Sequence, residues 1–109
     1  MNWLPLTSIE QLEEIAILSN TIPQLIFKHS TRCSISIIAK NRLERSVAPE
    51  NISFYYLDLL TYRKVSDYIA DKFRITHQSP QVLLIKNGEC IFEETHNAIN
   101  MDEIVLQAN

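Results

Sequence analysis

Cys33 stands where an extended apolar run, Leu25 to His29, gives way through Ser30, Thr31 and Arg32 to a helical pattern opening at Ser34. A helix start leaves backbone N–H groups without intrahelical partners, and its partial positive charge favours a thiolate over a thiol. Cysteines in such positions fall from a free pKa of about 8.5 to between roughly 3.5 and 7.5, and the thiolate is the nucleophile. The cation of Arg32, next in the chain, acts in the same direction. Three residues on, where a dithiol enzyme would carry its second cysteine, the chain has Ser36. Its hydroxyl is a candidate donor to the thiolate, a charge-assisted bond stronger than a neutral one. Ser34 offers a second hydroxyl at the helix start or simply faces water; Thr31 either touches a substrate or caps the helix. The chemistry implied is attack on a disulfide by one sulfur.

A free cysteine is most often a small buried hydrophobe. The polar company of Thr31, Arg32, Ser34 and Ser36 argues against that reading for Cys33. Cys90, the second cysteine, follows the Asn87-Gly88 turn, and a strand of about six residues, near 20 Å at about 3.3 Å per residue, separates it from Cys33. A disulfide needs Cα atoms closer than about 7 Å, so the two should not bridge. His29, His77 and His96 lack metal-ligand spacing with either cysteine, and no metal is expected. His77 lies near enough to Pro80 to edge the site, and His29 lies just upstream of Cys33. Both read more readily as solvated side chains than as proton shuttles.

The elements that must position Cys33 can be read from hydrophobic spacing. Thr7 and Ser8 precede Glu10 and Gln11 in a capping-box pattern, and Ile9, Leu12, Ile15, Ala16 and Leu18 recur at helical spacing. Gln24 to Lys28 reads as a short buried strand. Cys33 opens a second helix with Ile35, Ile38, Ala39 and Leu43 as its apolar face. Ile52 to Leu59 reads as a second, central strand, and Val65, Tyr68, Ile69 and Phe73 mark a third helix. Val82 to Ile85, the Asn87-Gly88 turn and Cys90 to Glu93 form a hairpin. Asn100 caps a last helix carrying Met101, Ile104 and Val105. The order is α-β-α-β-α-β-β-α, a thioredoxin-like three-layer α/β/α arrangement with a four-stranded mixed sheet, spanning residues 1–109 as one domain.

That arrangement places the cysteine at the C-terminal end of its first core strand. It also gives Ser79-Pro80 a role. A proline is tolerated at the first residue of a strand. In thioredoxin-like folds this one lies beside the cysteine with a cis peptide bond, holding the backbone of Ser79 open for an extended substrate whose sulfur faces Cys33.

Composition excludes several alternatives. The net charge of −3, with Arg42, Arg45, Arg63 and Lys64 scattered among acids, argues against nucleic acid as a partner. The single glycine, Gly88, rules out a phosphate-cradling loop, so no dinucleotide or nucleotide cofactor is expected to be bound. The apolar runs are too short for a membrane span. Two cysteines and no signal-like N-terminus lead to the expectation of a cytoplasmic protein.

The string Phe27-Lys-His-Ser-Thr-Arg-Cys33-Ser-Ile-Ser36, with Ser79-Pro-Gln-Val82 and Ile85-Lys-Asn-Gly88, resembles the monothiol bacilliredoxins, the YtxJ-like family of the bacillithiol system. The resemblance runs over nearly the whole chain. It implies removal of bacillithiol, a low-molecular-weight thiol acting as co-substrate, from client-protein cysteines. A second small thiol or a separate reductase would recycle Cys33. Ser34 departs from the pattern, since many relatives carry proline directly after the cysteine. The competing expectation is a non-catalytic thioredoxin-fold protein-binding module using the same surface.

Overall fold

The computed structural model describes residues 1–109 and contains a five-stranded sheet, one strand more than expected. In chain order the elements are β1 (Trp3–Pro5), α1 (Ile9–Leu18), β2 (Gln24–His29), α2 (Ser34–Arg45), β3 (Ser53–Asp58), α3 (Arg63–Phe73), β4 (Gln81–Lys86), β5 (Glu89–Thr95) and α4 (Met101–Ala108). A 3-10 turn, His96–Ala98, links β5 to α4. The additional strand, β1, runs parallel to β3, pairing Trp3 with Phe54 and Pro5 with Tyr56. Three residues ending in proline carry no alternation to read, and proline is confined to sheet edges because it lacks the ladder donor.

The sheet order is β1-β3-β2-β4-β5. β2 and β3 are parallel, joined by α2 as the crossover, while β4 runs antiparallel to β2. The fourth and fifth strands form the expected hairpin. Asn87 and Gly88 both hold positive φ, 54° and 76°, the left-handed pair that a two-residue turn of matching twist requires.

Because β2 is covered on both faces, its side chains alternate between two cores. Leu25 and Phe27 pack with Ala39 and Leu43 of α2 and with Met101, Ile104 and Ala108 of α4. Ile26 packs on the other side with Leu12 and Ile15 of α1 and Val65 and Ile69 of α3. Helix α1 begins at Ser8, whose Oγ accepts the Gln11 N–H at 3.1 Å, and α4 begins at Asn100, whose Oδ1 accepts the Glu103 N–H at 2.9 Å. Each cap satisfies a donor that the helix start leaves open, typically worth about 1 kcal/mol.

Helix α2 turns a different face inward from the one its isoleucines suggested. Ser36, Ala39 and Leu43 are buried, whereas Ile35 and Ile38 are 39% and 53% exposed. Positions 36, 39 and 43 follow the 3-4 spacing of one helix face, so burying Ser36 carries Ile35 and Ile38 outward.

Candidate active site

The register brings the chemistry to one end of the sheet. Lys28, near the C-terminal end of β2, pairs with Gln81 at the start of antiparallel β4, so Cys33 and Pro80 emerge from neighbouring strands on the same side. The Ser79–Pro80 peptide bond is cis, as expected of the thioredoxin-like arrangement. Pro80 is buried, and its carbonyl accepts the His96 N–H at 3.1 Å. The Ser79 Oγ is buried without a hydrogen-bond partner.

Cys33 is the N-cap of α2, with extended φ −107° and ψ 119°. Its carbonyl accepts the first helical bond, from Ile37 N–H at 3.0 Å. The N–H groups of Ser34, Ile35 and Ser36 precede that bond, and a cap side chain is the group that reaches the second and third of them. The sulfur is therefore attached at a helix start, although the Cys33 side chain makes no cap bond of its own. It is a free thiol, half-buried, with Thr31, Arg32 and Ser34 exposed around it. Exposed Ile35 and Ile38 add an apolar flank on α2.

Ser36 is placed otherwise than expected. Its hydroxyl does not bond Cys33: Oγ lies 2.6 Å from His29 Nδ1 and accepts the Ser30 N–H at 3.0 Å. Which of the two donates depends on the His29 tautomer, since a hydroxyl that accepts one bond can either accept a second or give its own proton. Burial, then the nearby Lys40, holds His29 below the usual imidazole range, in keeping with a neutral ring. His29 is thus not the solvated residue the sequence suggested. It is buried, with the rings of Phe27 and Tyr56 at 5.6 and 5.4 Å. The Ser36–His29–Ser30 link pins the turn between β2 and α2 and so fixes the direction from which Cys33 leaves the strand.

Lys28 points to the opposite face and is fully buried. Its Nζ donates to the Ser66 carbonyl and to His77 Nδ1, each at 3.2 Å. Burial lowers its pKa to about 8, with Asp67 opposing the shift and Arg63 adding to it. His77 is likewise tied down rather than solvated, and burial followed by Lys28 and Arg63 lowers its pKa. Sequence reasoning passed over Lys28, although a lysine inside an apolar strand run is itself a signal of a buried polar contact.

Cys90 lies at the other end. It pairs across the hairpin with Ile85, which in turn pairs with Gln24 at the start of β2, so the whole strand separates it from Cys33. Its Sγ donates to the Phe92 carbonyl at 3.3 Å, and burial pushes its pKa up to about 11. No group of three or more His, Cys, Asp or Glu side chains stands close enough to hold a metal, and no helix is long and apolar enough to cross a membrane.

Known proteins point the same way. The family model for monothiol bacilliredoxin BrxC matches residues 4–104. A solved structure assigned as an oxidoreductase with a thioredoxin fold is 30% identical and superposes with a TM-score of 0.84, over 97% of this chain and 93% of that one. Thioredoxins from Malassezia sympodialis (15% identity, TM-score 0.76, 97% and 88% covered) and Fasciola hepatica (17%, 0.74, 96% and 98%) share the fold. The family match and the 30% identical structure, with the helix-start Cys33 at the same end of the sheet as Pro80, support a thiol–disulfide redox role exercised on thiol-bearing proteins. The chain belongs to the monothiol bacilliredoxin family.

Proposed function

We propose that this protein removes bacillithiol, or a related low-molecular-weight thiol, from mixed disulfides on client proteins, using Cys33 alone. The observation that carries the proposal is that the helix-start thiol has a serine one turn on and no second sulfur at its end of the sheet. In the first step the Cys33 thiolate attacks the bacillithiol sulfur of the mixed disulfide. The Cys33–bacillithiol disulfide forms, the client–bacillithiol bond breaks, and the client sulfur leaves as a thiolate that takes a proton from water. In the second step a thiolate of a free small thiol, or of a separate reductase, attacks the bacillithiol sulfur; its disulfide with bacillithiol forms, the Cys33–bacillithiol bond breaks, and Cys33 leaves as its thiolate.

The residues around the sulfur divide these tasks. The Ile35 and Ser36 N–H groups lie where a cap anion is held, with exposed Arg32 supplying a further positive charge. Ser36 acts through this backbone position and through the turn it pins rather than by a hydroxyl bond to sulfur. The Ser79 backbone, next to Pro80, is the site for an extended client segment; Thr31, Ser34 and Ile35 flank it. Ser36 carries no sulfur to resolve the intermediate, so a client's internal disulfide is a poor substrate.

The test is transfer. A client peptide carrying bacillithiol on one cysteine is mixed with the reduced protein, and both are weighed by mass spectrometry. One bacillithiol should move onto Cys33 as the peptide thiol is freed. A binding-only module would retain the peptide with its bacillithiol in place, and that result would overturn the proposal.

A further inference from the structure

The segment Thr76–Pro80, which presents the Ser79 backbone, is held by polar bonds on two sides. The fully buried Gln81 donates from Nε2 to the Thr76 carbonyl at 3.1 Å and to Glu93 Oε2 at 2.9 Å, while its Oε1 accepts the Gln78 N–H at 3.4 Å. From the other side His77 Nδ1 meets Lys28 Nζ at 3.2 Å and Ser66 Oγ at 3.3 Å, and Lys28 also holds the Ser66 carbonyl of α3. Thr76 and Gln78 are exposed, so apolar packing contributes little at those positions.

We propose that Lys28 and His77 are positioning residues for thiol–disulfide exchange: their bond clamps the Thr76–Pro80 segment to β2, five residues before Cys33, and sets the Ser79 backbone against the sulfur. The proposal rests on the exchange reading above and adds its control. An ammonium has three donors and no acceptor, so His77 can bond it only through an unprotonated Nδ1. Protonating His77 removes that acceptor and sets two cations about 3 Å apart. The charged groups facing the pair are Arg63 and Asp67 of α3, one of each sign; Glu93 of β5 is engaged by Gln81. The clamp therefore holds while His77 is neutral and opens when it takes a proton. Substrate docking at Ser79 should loosen on acidification, apart from any change in the sulfur itself.

The experiment compares Lys28→Met, His77→Leu and His77→Asn with the unaltered protein. Exchange is measured with a mixed-disulfide peptide, and Cys33 is separately alkylated with iodoacetamide, which needs no docking at Ser79. Lys28→Met and His77→Leu should lower kcat/KM by roughly tenfold, the scale expected of a small misplacement of reacting groups, with alkylation little changed. His77→Asn offers an uncharged amide oxygen near the Nδ1 position, so it should recover most of the rate lost in His77→Leu and abolish the acid-side loss of exchange relative to alkylation. A folded Lys28→Met with an undiminished rate, or His77→Leu and His77→Asn behaving alike, would overturn the clamp. If the unaltered protein exchanges with no mixed disulfide, the proposed function fails, and NMR still reads the clamp. The Gln78 and Ser79 amide resonances should move with the titration of His77 and stay fixed in His77→Asn; resonances that ignore His77 would refute it.

Discussion

The two ends of the sheet each carry a half-buried cysteine, and the two sulfurs stand in different surroundings. At the hairpin end Cys90 donates to a carbonyl, is surrounded by desolvating protein and has its pKa raised to about 11. The polar bonds there close the chain: Ser19 at the end of α1 accepts the N–H groups of Asn87 and Gly88, through its carbonyl at 3.0 Å and its hydroxyl at 2.8 Å. At the other end Cys33 heads a helix, with buried His29 and Ser36 holding the turn that carries it and buried Lys28, Ser66 and Gln81 on the opposite face of the sheet. A residue type alone does not make a nucleophile. What separates the two sulfurs is where they are attached: one at the start of a helix, the other within a hairpin where it meets a carbonyl.

The largest test of this contrast is Cys33→Ser. Exchange should fall by roughly 10³-fold or more, equivalent to about 4 kcal/mol in the barrier. Denaturant unfolding should shift by no more than about 0.5 kcal/mol, because a half-exposed cap residue packs little. Residual exchange near the starting rate would mean that another sulfur does the work.

Ser36→Cys asks whether the site end can be given its missing thiol. Residues 33 and 36 stand in the cap-to-third-position relation over which side chains reach one another. The variant should oxidise to a Cys33 disulfide, seen as a loss of two hydrogens by mass, and should accumulate less bacillithiol on Cys33. A folded variant that stays reduced under mild oxidant would contradict the cap geometry.

Lys28 gives the site end a signature in stability. Its pKa falls from 10.5 when unfolded to about 8 when folded, so between those values the unfolded chain binds more protons. Stability should therefore rise with pH from about 8 to 10.5, by an amount on the order of 3 kcal/mol, and Lys28→Met should flatten that rise. Urea unfolding at pH 7, 9 and 10.5 reads it. An unaltered slope in Lys28→Met would show that the ammonium is not desolvated as placed.

Ser36→Ala should cost about 1–3 kcal/mol, since it strands the Ser30 N–H and His29 Nδ1 in the core. His29 also fixes a sign. Its folded pKa is depressed, so its contribution to stability is present above pH 6.5 and is lost as pH falls through the folded value. Unfolding midpoints of the pair at neutral pH check the cost. The smallest effect belongs to Cys90→Ser, which should leave the exchange rate unchanged. A tenfold fall, about 1.4 kcal/mol, would make Cys90 a resolving thiol and erase the distinction between the two ends.

Local pattern alone determined much of this protein. Helical spacing, the Ser8 and Asn100 caps, the Asn87-Gly88 turn and the apolar runs of β2 and β4 are short-range features, and they sufficed for four strands, four helices and a cysteine at the start of the second helix. The cis-proline was legible once that topology was in hand. The faces of the site were not. A strand buried on both sides does not declare from its own residues which side chains meet which helix, so His29 read as solvated and Lys28 only as the end of a buried strand. Their partners lie 7 and 49 positions away, Ser36 across a turn and His77 across the sheet. Strand β1 escaped because three residues have no period, and it exists only through its ladder to β3. The inward turn of Ser36 was likewise set by a bond to His29 rather than by helix patterning. Periodic and local features are legible in the sequence; the bonds that hold the turn before Cys33 and the segment before Pro80 lie outside any period, and only the folded chain brings their partners together.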